Sequence, residues 1–333
     1  MKKGEDEGLR KEPCEEPSRD PLRFEIQLGH LCNNRCVFCS SGELSERREA
    51  KEVPLGAVID AFEEARAAGA ARITFLGGEP TLHKGLVPAI RHAVRIGFSE
   101  IVIFTNGTMI SRPGFVAQIS ALGSFEWRVS IQGGTKSAHE AVTRRKGSFD
   151  RLIDGLRILH EHGQRITVNL CATEKNYRSL PELPELISRF GIRELHVDLV
   201  RPHSVGECGK EDLLSIMLRY SAMAPYLERM LARLEAISPE VDFGIGNLPY
   251  CILPKWSHRV RHGGRRTVTR ASDRSGLEEA VEKYDWHKTL RCYPSGCDKC
   301  PMRDLCQGVF TEYLALHGED EFAPSVFERG EAP

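Results

Sequence analysis

Three cysteines, Cys32, Cys36 and Cys39, stand within eight residues of the segment GHLCNNRCVFCSSGEL at 29–44. Thiolates at i, i+4 and i+7 on one loop reach three corners of a cubane iron–sulfur cluster, whose irons prefer soft sulfur ligands. Three protein ligands leave one metal position open. That is the mark of a catalytic rather than a structural centre, because something other than protein must bind there. A zinc knuckle closed by a distant fourth ligand, and three reduced thiols without a role, are the alternatives. A second group, Cys292, Cys297, Cys300 and Cys306, lies in CYPSGCDKCPMRDLCQGVF. A CxxC pair with a further cysteine six residues on suits zinc or a second cluster, and spacing does not separate them.

The chain has 333 residues, 41% of them hydrophobic, enough to bury a large core as one big domain or two smaller ones. A formal net charge of -1 removes any global attraction to nucleic acid or anionic membrane, so such a partner needs a local patch. The opening MKKGEDEGLRKEPCEEPSRD mixes both charge signs with Pro and Gly. It predicts a disordered tail over 1–22 with no secretory apolar region. No apolar run has spanning length. Eleven cysteines, seven of them in two groups, read as metal ligands in a reducing, cytoplasmic compartment rather than as disulfides.

The cysteine loop must be held by elements, and these alternate. RFEIQL (23–28), RITFL (72–76), EIVIFT (100–105), WRVSI (127–131), ITVNLCA (166–172) and ELHVDLV (194–200) have strand length and β-branched content. Helical stripes lie between them at Leu55, Val58, Ile59, Phe62 and Ala65; at Phe149, Leu152, Ile153, Leu156 and Leu159; and at Leu183, Leu186, Ile187 and Phe190. Gly69, Gly97, Gly163 and Gly191 are placed to end four helices. The pattern predicts an α/β fold, a partial (β/α)6 TIM-like barrel over 23–205, with chemistry at the strands' C-terminal ends. GHLCNNRC, GGEPT, TNGT, QGGT and ATEKN each follow a strand and so share one rim. A connecting helix over 206–240, helical from Glu211 to Ala236, buries Met217, Tyr220, Ala224, Leu227, Met230, Leu231 and Leu234. A small metal-stabilised domain over 241–320 and a tail over 321–333 complete the expected organisation.

CxxxCxxC after the first strand, followed by GGEP at Gly77, Gly78, Glu79 and Pro80 after the second, resembles the radical S-adenosylmethionine (SAM) enzymes over strands one to six. The resemblance implies that Cys32, Cys36 and Cys39 hold a 4Fe-4S cluster. Its open iron chelates the amino and carboxylate groups of SAM, and the reduced cluster cleaves SAM to a 5'-deoxyadenosyl radical. Phe38 matches the aromatic position beside the cluster. Gly77 and Gly78 permit close backbone approach, and Glu79 offers an acceptor to the methionine ammonium. TNGT with Asn106, and VSIQGG with Ser130 and Gln132, resemble the next two strand ends of the SAM pocket, with a plain turn as the alternative. HEAVTRRKGSF is similar to a stretch that brings an arginine, here Arg144, toward the SAM carboxylate; Asn169 is a further pocket candidate. NLPYC ending at Cys251, with the later CxxCxxxxxCxGV, resembles the Twitch module, a shortened SPASM extension. This implies one auxiliary 4Fe-4S cluster on Cys251, Cys297, Cys300 and Cys306, with Cys292 left over and a zinc staple as the alternative.

The expected function is a radical SAM enzyme that abstracts a substrate hydrogen to modify a peptide or protein. Action on a small metabolite, cofactor precursor or RNA is the runner-up, and a non-catalytic metal-binding protein the third reading. A reducing partner such as flavodoxin or ferredoxin is implied; membrane and nucleic acid are not expected partners. The run KWSHRVRHGGRRTVTRASDR, with Arg259, Arg261, Arg265, Arg266, Arg270 and Arg274, suits phosphate or an acidic peptide but reads first as a mobile solvated loop. His160 and His162 fit the end of a helix, Cys171 a strand core, and Cys14 and Cys208 carry no assignment.

Overall fold

Each of the six apolar runs becomes a strand because one of its faces has helices to pack against. The computed structural model describes residues 21–202, 210–262, 266–273, 276–283 and 290–322. In it β1 (Arg23–Gln27), β2 (Arg72–Leu76), β3 (Glu100–Thr105), β4 (Glu126–Ser130), β5 (Arg165–Ala172) and β6 (Glu194–Leu199) pair in parallel in sequence order. β7 (Asp242–Gly246), β8 (Val260–Arg261), β9 (Thr267–Ser272) and β10 (Leu277–Glu282) complete a ten-stranded sheet ordered β10-β9-β1-β2-β3-β4-β5-β6-β7-β8. It is an α/β partial barrel, open between β10 and β8.

Side chains alternate between two unlike environments. Ile73, Phe75, Ile103, Trp127, Val129, Val168, Leu195 and Val197 are buried against the helices. The helix Leu55–Ala67 buries Val58, Ala61, Phe62 and Ala65, and Ser148–Glu161 buries Leu152, Leu156 and Leu159. Both end as the glycines require, since Gly69, Gly97, Gly163 and Gly191 have φ between +58° and +85°, which a Cβ disfavours. Register puts Arg72, Glu100, Glu126, Arg165 and Glu194 on the opposite, lumen face at the strands' N-terminal ends. There Glu126, its side chain 3% exposed, pairs with Arg72 at 3.0 Å, Arg128 at 2.9 Å and Arg165, and plugs the barrel floor.

Three differences from the sequence expectation have physical causes. The helix expected from Glu211 divides into Lys210–Ser215 and Tyr220–Ile237. Tertiary partners take the backbone at the break: the Glu174 backbone N–H donates to the Ile216 carbonyl at 2.9 Å, and Tyr220 N–H to Tyr313 Oη at 2.7 Å. Met217 is buried within the break, while Ala224 is only half-buried. Secondly, the segment 241–320, expected as a small separate domain, shares the barrel sheet, since β7 and β8 extend it beyond β6 and β9 returns to pair in parallel with β1. The arginine run is therefore partly strand, with Arg261 on Asp242, Arg266 on Glu282 at 3.6 Å and Arg270 on Glu64 at 2.6 Å. Thirdly, the inner end of each expected tail is packed on the fold: Leu22 is buried, and Glu321 accepts from Ser221 N–H at 2.8 Å. Cys14, Cys208, Arg265 and Arg274 lie outside the described residues. Among the described residues no helix is long and apolar enough to cross a membrane.

Glu126 is pushed up by burial, but Arg128, Arg72 and Arg165 outweigh this and hold it below the usual carboxylate range. A depressed folded value gives stability that is present above the unfolded pKa and lost as pH falls through the folded one. Glu126→Gln is expected to cost about 3 kcal/mol at neutral pH, the loss from breaking a buried charge network. It should also flatten the acid limb of stability. Urea denaturation repeated from about pH 7 to about pH 3 checks both.

Candidate active site and second cysteine centre

The cysteine loop leaves the end of β1 and is fixed first by its own backbone. Gly78 N–H donates to the Gly29 carbonyl and Glu79 N–H to the Leu31 carbonyl, both at 2.8 Å. A Cβ on Gly78 would stand 2.4 Å from the Leu31 oxygen, and one on Gly77, where φ is +149°, 2.8 Å from the Gly29 oxygen. Only glycine lets the two loops touch. On the other side, Arg35 and Val37 N–H donate at 2.9 Å to the Thr143 and Val142 carbonyls, which end the helix Lys136–Thr143. Arg144, at φ +49°, closes this strap: its Nε donates to the Arg35 carbonyl and its Nη2 lies 3.5 Å from Glu43.

Glu79 is 3% exposed, and its carboxylate collects Thr81 N–H at 3.1 Å, the Thr81 hydroxyl, the Thr105 hydroxyl at 2.7 Å and Asn106 N–H at 2.6 Å. Oε1 takes three of these donors and Oε2 one, so one acceptor direction of Oε2 stays open for an ammonium. Asn106 extends the network to the cysteine loop, with Nδ2 donating to Asn33 Oδ1 at 2.8 Å and lying 3.9 Å from Cys32 Sγ. A cleft of about 170 Å³ opens between Leu31, Glu52, Gly77, Gly78, Glu79, Pro80 and His83.

The three thiols are close enough to act on one another. Burial, then Glu79, pushes Cys32 up to about 12; burial, then Cys39 and Cys32, raises Cys36 well above the ordinary thiol value. Phe38 is half-buried against the core beside them. Ser130 and Asn169 are paired in register on the lumen face and half-buried. Gln132 is 5% exposed and spends Oε1 on Cys171 N–H at 3.1 Å, so this side chain braces β5.

Several residues at this mouth had no motif to mark them. Asn34, between Cys32 and Cys36, is 2% exposed with neither amide atom partnered. Cys171 is a lumen residue, not a helix-side core residue: it is paired in register with Asp198 and electrostatically coupled to Cys39. His196 and Asp198 share that lumen face over Gly244 and Gly246, where a Cβ would meet His196 at 3.1 Å and Asp198 at 2.3 Å. The signal was the polar alternation of ELHVDLV, which carries a side chain to the lumen at every second position.

None of the nine described cysteines is in a disulfide. Cys251, Cys297, Cys300 and Cys306 line one cavity of about 380 Å³. Among the described residues no three His, Cys, Asp or Glu side chains gather about a single ion-sized point. Cys292 does not line the cavity; it pairs with Val309 in the small sheet of β11 (Arg291–Cys292) and β12 (Val309–Phe310), and its electrostatic neighbours are Glu319 and Glu312. Burial raises the Cys306 thiol, while the Gly308 and Tyr250 backbone N–H groups, and more weakly the Arg291 charge, draw it down. Tyr313 docks this unit by stacking on Tyr220 with ring centroids 3.9 Å apart.

A partial barrel with three thiols at the C-terminal mouth and a glycine loop bonded to them defines the radical SAM class of fold. Residues 26–187, just under half of the chain, match the radical SAM superfamily. The chain is 30% identical over 177 residues to the PqqA peptide cyclase of Rhodopseudomonas palustris, covering 53% of this chain and 46% of that protein. It is 26% identical over 187 residues to a probable GTP 3',8-cyclase of Saccharolobus islandicus, covering 55% and 58%. The chain thus spans about half the length of the curated relatives it matches. Streptococcus suis SuiB bound to precursor peptide SuiA has the same fold, with a TM-score of 0.64 at 15% identity, over 91% of this chain and 74% of that one.

Gly78→Ala is expected to cost about 2 to 3 kcal/mol, because the clash is with backbone and a loop must move. Gly56→Ala, in the first turn of the helix Leu55–Ala67 where an added Cβ meets nothing, should stabilise by about 0.4 to 1 kcal/mol. Chemical denaturation of the two variants reads the contrast.

Proposed function

We propose that this protein is a cytoplasmic radical SAM enzyme that modifies a peptide or protein substrate. The reading is carried by the convergence of Cys32, Cys36 and Cys39 on a loop bonded backbone to backbone with Gly77–Pro80 at the barrel's C-terminal mouth. The donor set fits a cubane. The Cys32 and Cys36 thiols are desolvated, with pKa values pushed up by burial, a cost that the positive charge of bound iron would offset. The unpartnered Asn34 amide fits as well, since leaving it unsatisfied costs about 1 to 3 kcal/mol and a group bound within the loop supplies its partner.

A reduced 4Fe-4S cluster with SAM, when bound, would supply a radical able to take hydrogen from the substrate. The chain's own residues bind, orient and exclude water. Cys32, Cys36 and Cys39 would hold the cluster, and Phe38 would cover the loop beside it. Gly77 and Gly78 give the methionine end of SAM access to backbone, and Glu79 Oε2 accepts from its ammonium. Pro80 stiffens the turn, and Asn106 locks that loop to the cysteine loop. Arg144 secures the loop's outer side, and Gln132 fixes β5 so that Ser130 and Asn169 face the lumen. Cys251, Cys297, Cys300 and Cys306 hold an auxiliary 4Fe-4S cluster, which suits a cavity of about 380 Å³ walled by four thiols. A flavodoxin or ferredoxin supplies the electron.

Likeness to PqqA peptide cyclase and to SuiB, solved with a precursor peptide, supports the peptide class. The GTP 3',8-cyclase relatives favour a small phosphorylated substrate, but the described arginines Arg261, Arg266 and Arg270 are already committed to carboxylates. Anaerobic reconstitution should give about eight irons per chain, and a Cys32, Cys36 and Cys39 triple alanine variant about four, with 5'-deoxyadenosine at background. A precursor peptide encoded beside the gene should raise 5'-deoxyadenosine formation by the wild type. Equal turnover with and without peptide would sink the peptide assignment.

A further inference from the structure

Arg291, at the start of β11, carries a charge that the described protein does not balance. Nη2 donates to Asn247 Oδ1 at 2.7 Å and Nη1 to the Gly308 carbonyl at 3.2 Å, both neutral acceptors. Nε is sealed from solvent with no acceptor, and the guanidinium lies 3.8 Å from the ring centroid of the fully buried Phe310. No carboxylate among the described residues pairs with it. By contrast, Arg72 has Glu100 and Glu126, Arg128 has Glu126, Arg219 has Asp320, and the cavity-lining Arg303 has Asp298 at 2.7 Å. An aromatic face and two amide oxygens offset only part of the cost of withdrawing a cation from water.

The geometry shows where the missing negative charge belongs. Gly308, whose carbonyl accepts from Arg291, donates its own N–H to Cys306 Sγ at 3.4 Å. Arg291 is thus one residue removed from a thiol of the four-cysteine cavity, and its charge acts on that Cys306 thiol. Its other anchor, Asn247, holds the left-handed φ of +63° and passes a second hydrogen bond from Nδ2 to Asp198 Oδ1 at 3.3 Å on the barrel lumen. The guanidinium is therefore pinned between the barrel mouth and the cysteine unit.

We infer that Arg291 is the counter-charge of the C-terminal four-cysteine centre, an inference that rests on reading those cysteines as a metal site. Four thiolates give a bound centre net negative charge, and the guanidinium is placed to face it. It acts through electrostatics and touches no substrate, so it is a positioning residue. Added negative charge on reduction is stabilised by the same guanidinium, so its removal makes the centre harder to reduce.

The test uses the full chain with Cys32, Cys36 and Cys39 changed to alanine, so that the C-terminal centre alone reports. Arg291→Met should leave the metal-free thermal midpoint near that of its parent and reduce the rise on anaerobic iron loading. Its one-electron reduction equilibrium should fall about tenfold, a shift of about 59 mV to more negative potential. Arg291→Lys should recover most of that shift. If Arg291→Met fails to fold without metal, Arg291→Gln, which keeps a donor for Asn247, carries the same comparison. Equal midpoint shifts with and without metal, or an unchanged potential in a loaded chain, would overturn the inference alone. Zinc in the site with reduced stabilisation on loading would support the counter-charge and remove the cluster assignment. Cysteines that load neither metal would overturn both.

Discussion

Backbone contact between the loop after β1 and the loop after β2 is the constraint on which the site depends. It fixes one side of the cysteine loop, while the Thr143 and Val142 carbonyls hold Arg35 and Val37 on the other. Pairing Gly78 and Glu79 N–H with the Gly29 and Leu31 carbonyls turns a flexible segment into an extension of the sheet. The contact tolerates no Cβ at Gly78. Glu79 then draws Thr81, Thr105 and Asn106 onto one carboxylate, so the loops after β2 and β3 move as a unit with the thiols.

That unit sits on a barrel whose two surfaces follow opposite rules. Outside, Trp127, Phe75, Ile103 and Leu195 pack against helices, and the hydrophobic effect holds the sheet. Inside, charge fills the floor around Glu126, and the polar character continues upward through Arg128, Asn169, Cys171, His196 and Asp198. A polar lumen costs stability unless its groups are paired, and the pairing is tightest at the floor, where chemistry is absent. Toward the mouth the pairing thins.

The C-terminal third does two jobs. Its first part, through β7 to β10, finishes the sheet at both edges, and Ser272 braces the cysteine loop by accepting from His30 Nε2 at 2.9 Å and donating to Gln27 Oε1 at 3.0 Å. Its second part gathers four thiols around a cavity and reaches the barrel through Tyr313 on Tyr220 and through Arg291 on Asn247. The two cysteine centres are thereby held to one scaffold by side chains from distant parts of the chain.

Local order determined a great deal. Six strands, their stripes, the terminating glycines and the cysteine and glycine loops were all legible, because each is a short-range pattern: period two, period near 3.6, a φ only glycine adopts, a ligand spacing. Other features depended on partners far away in sequence. β7 was hidden because Gly244 and Gly246 weaken strand propensity, yet His196, Asp198 and Arg261 leave no space for a Cβ there. β9 was hidden in an arginine run because its pairing partner, β1, lies more than two hundred residues earlier. The helix break near Met217 follows from Tyr313 and Glu174, which no window around residue 217 contains. The same holds for the cysteines. Sequence nominated five candidates for the second centre and the resemblance left Cys292 over, but spacing could not decide between them; in the folded chain the other four line one cavity and Cys292 does not, because convergence in space is a property of the tertiary structure.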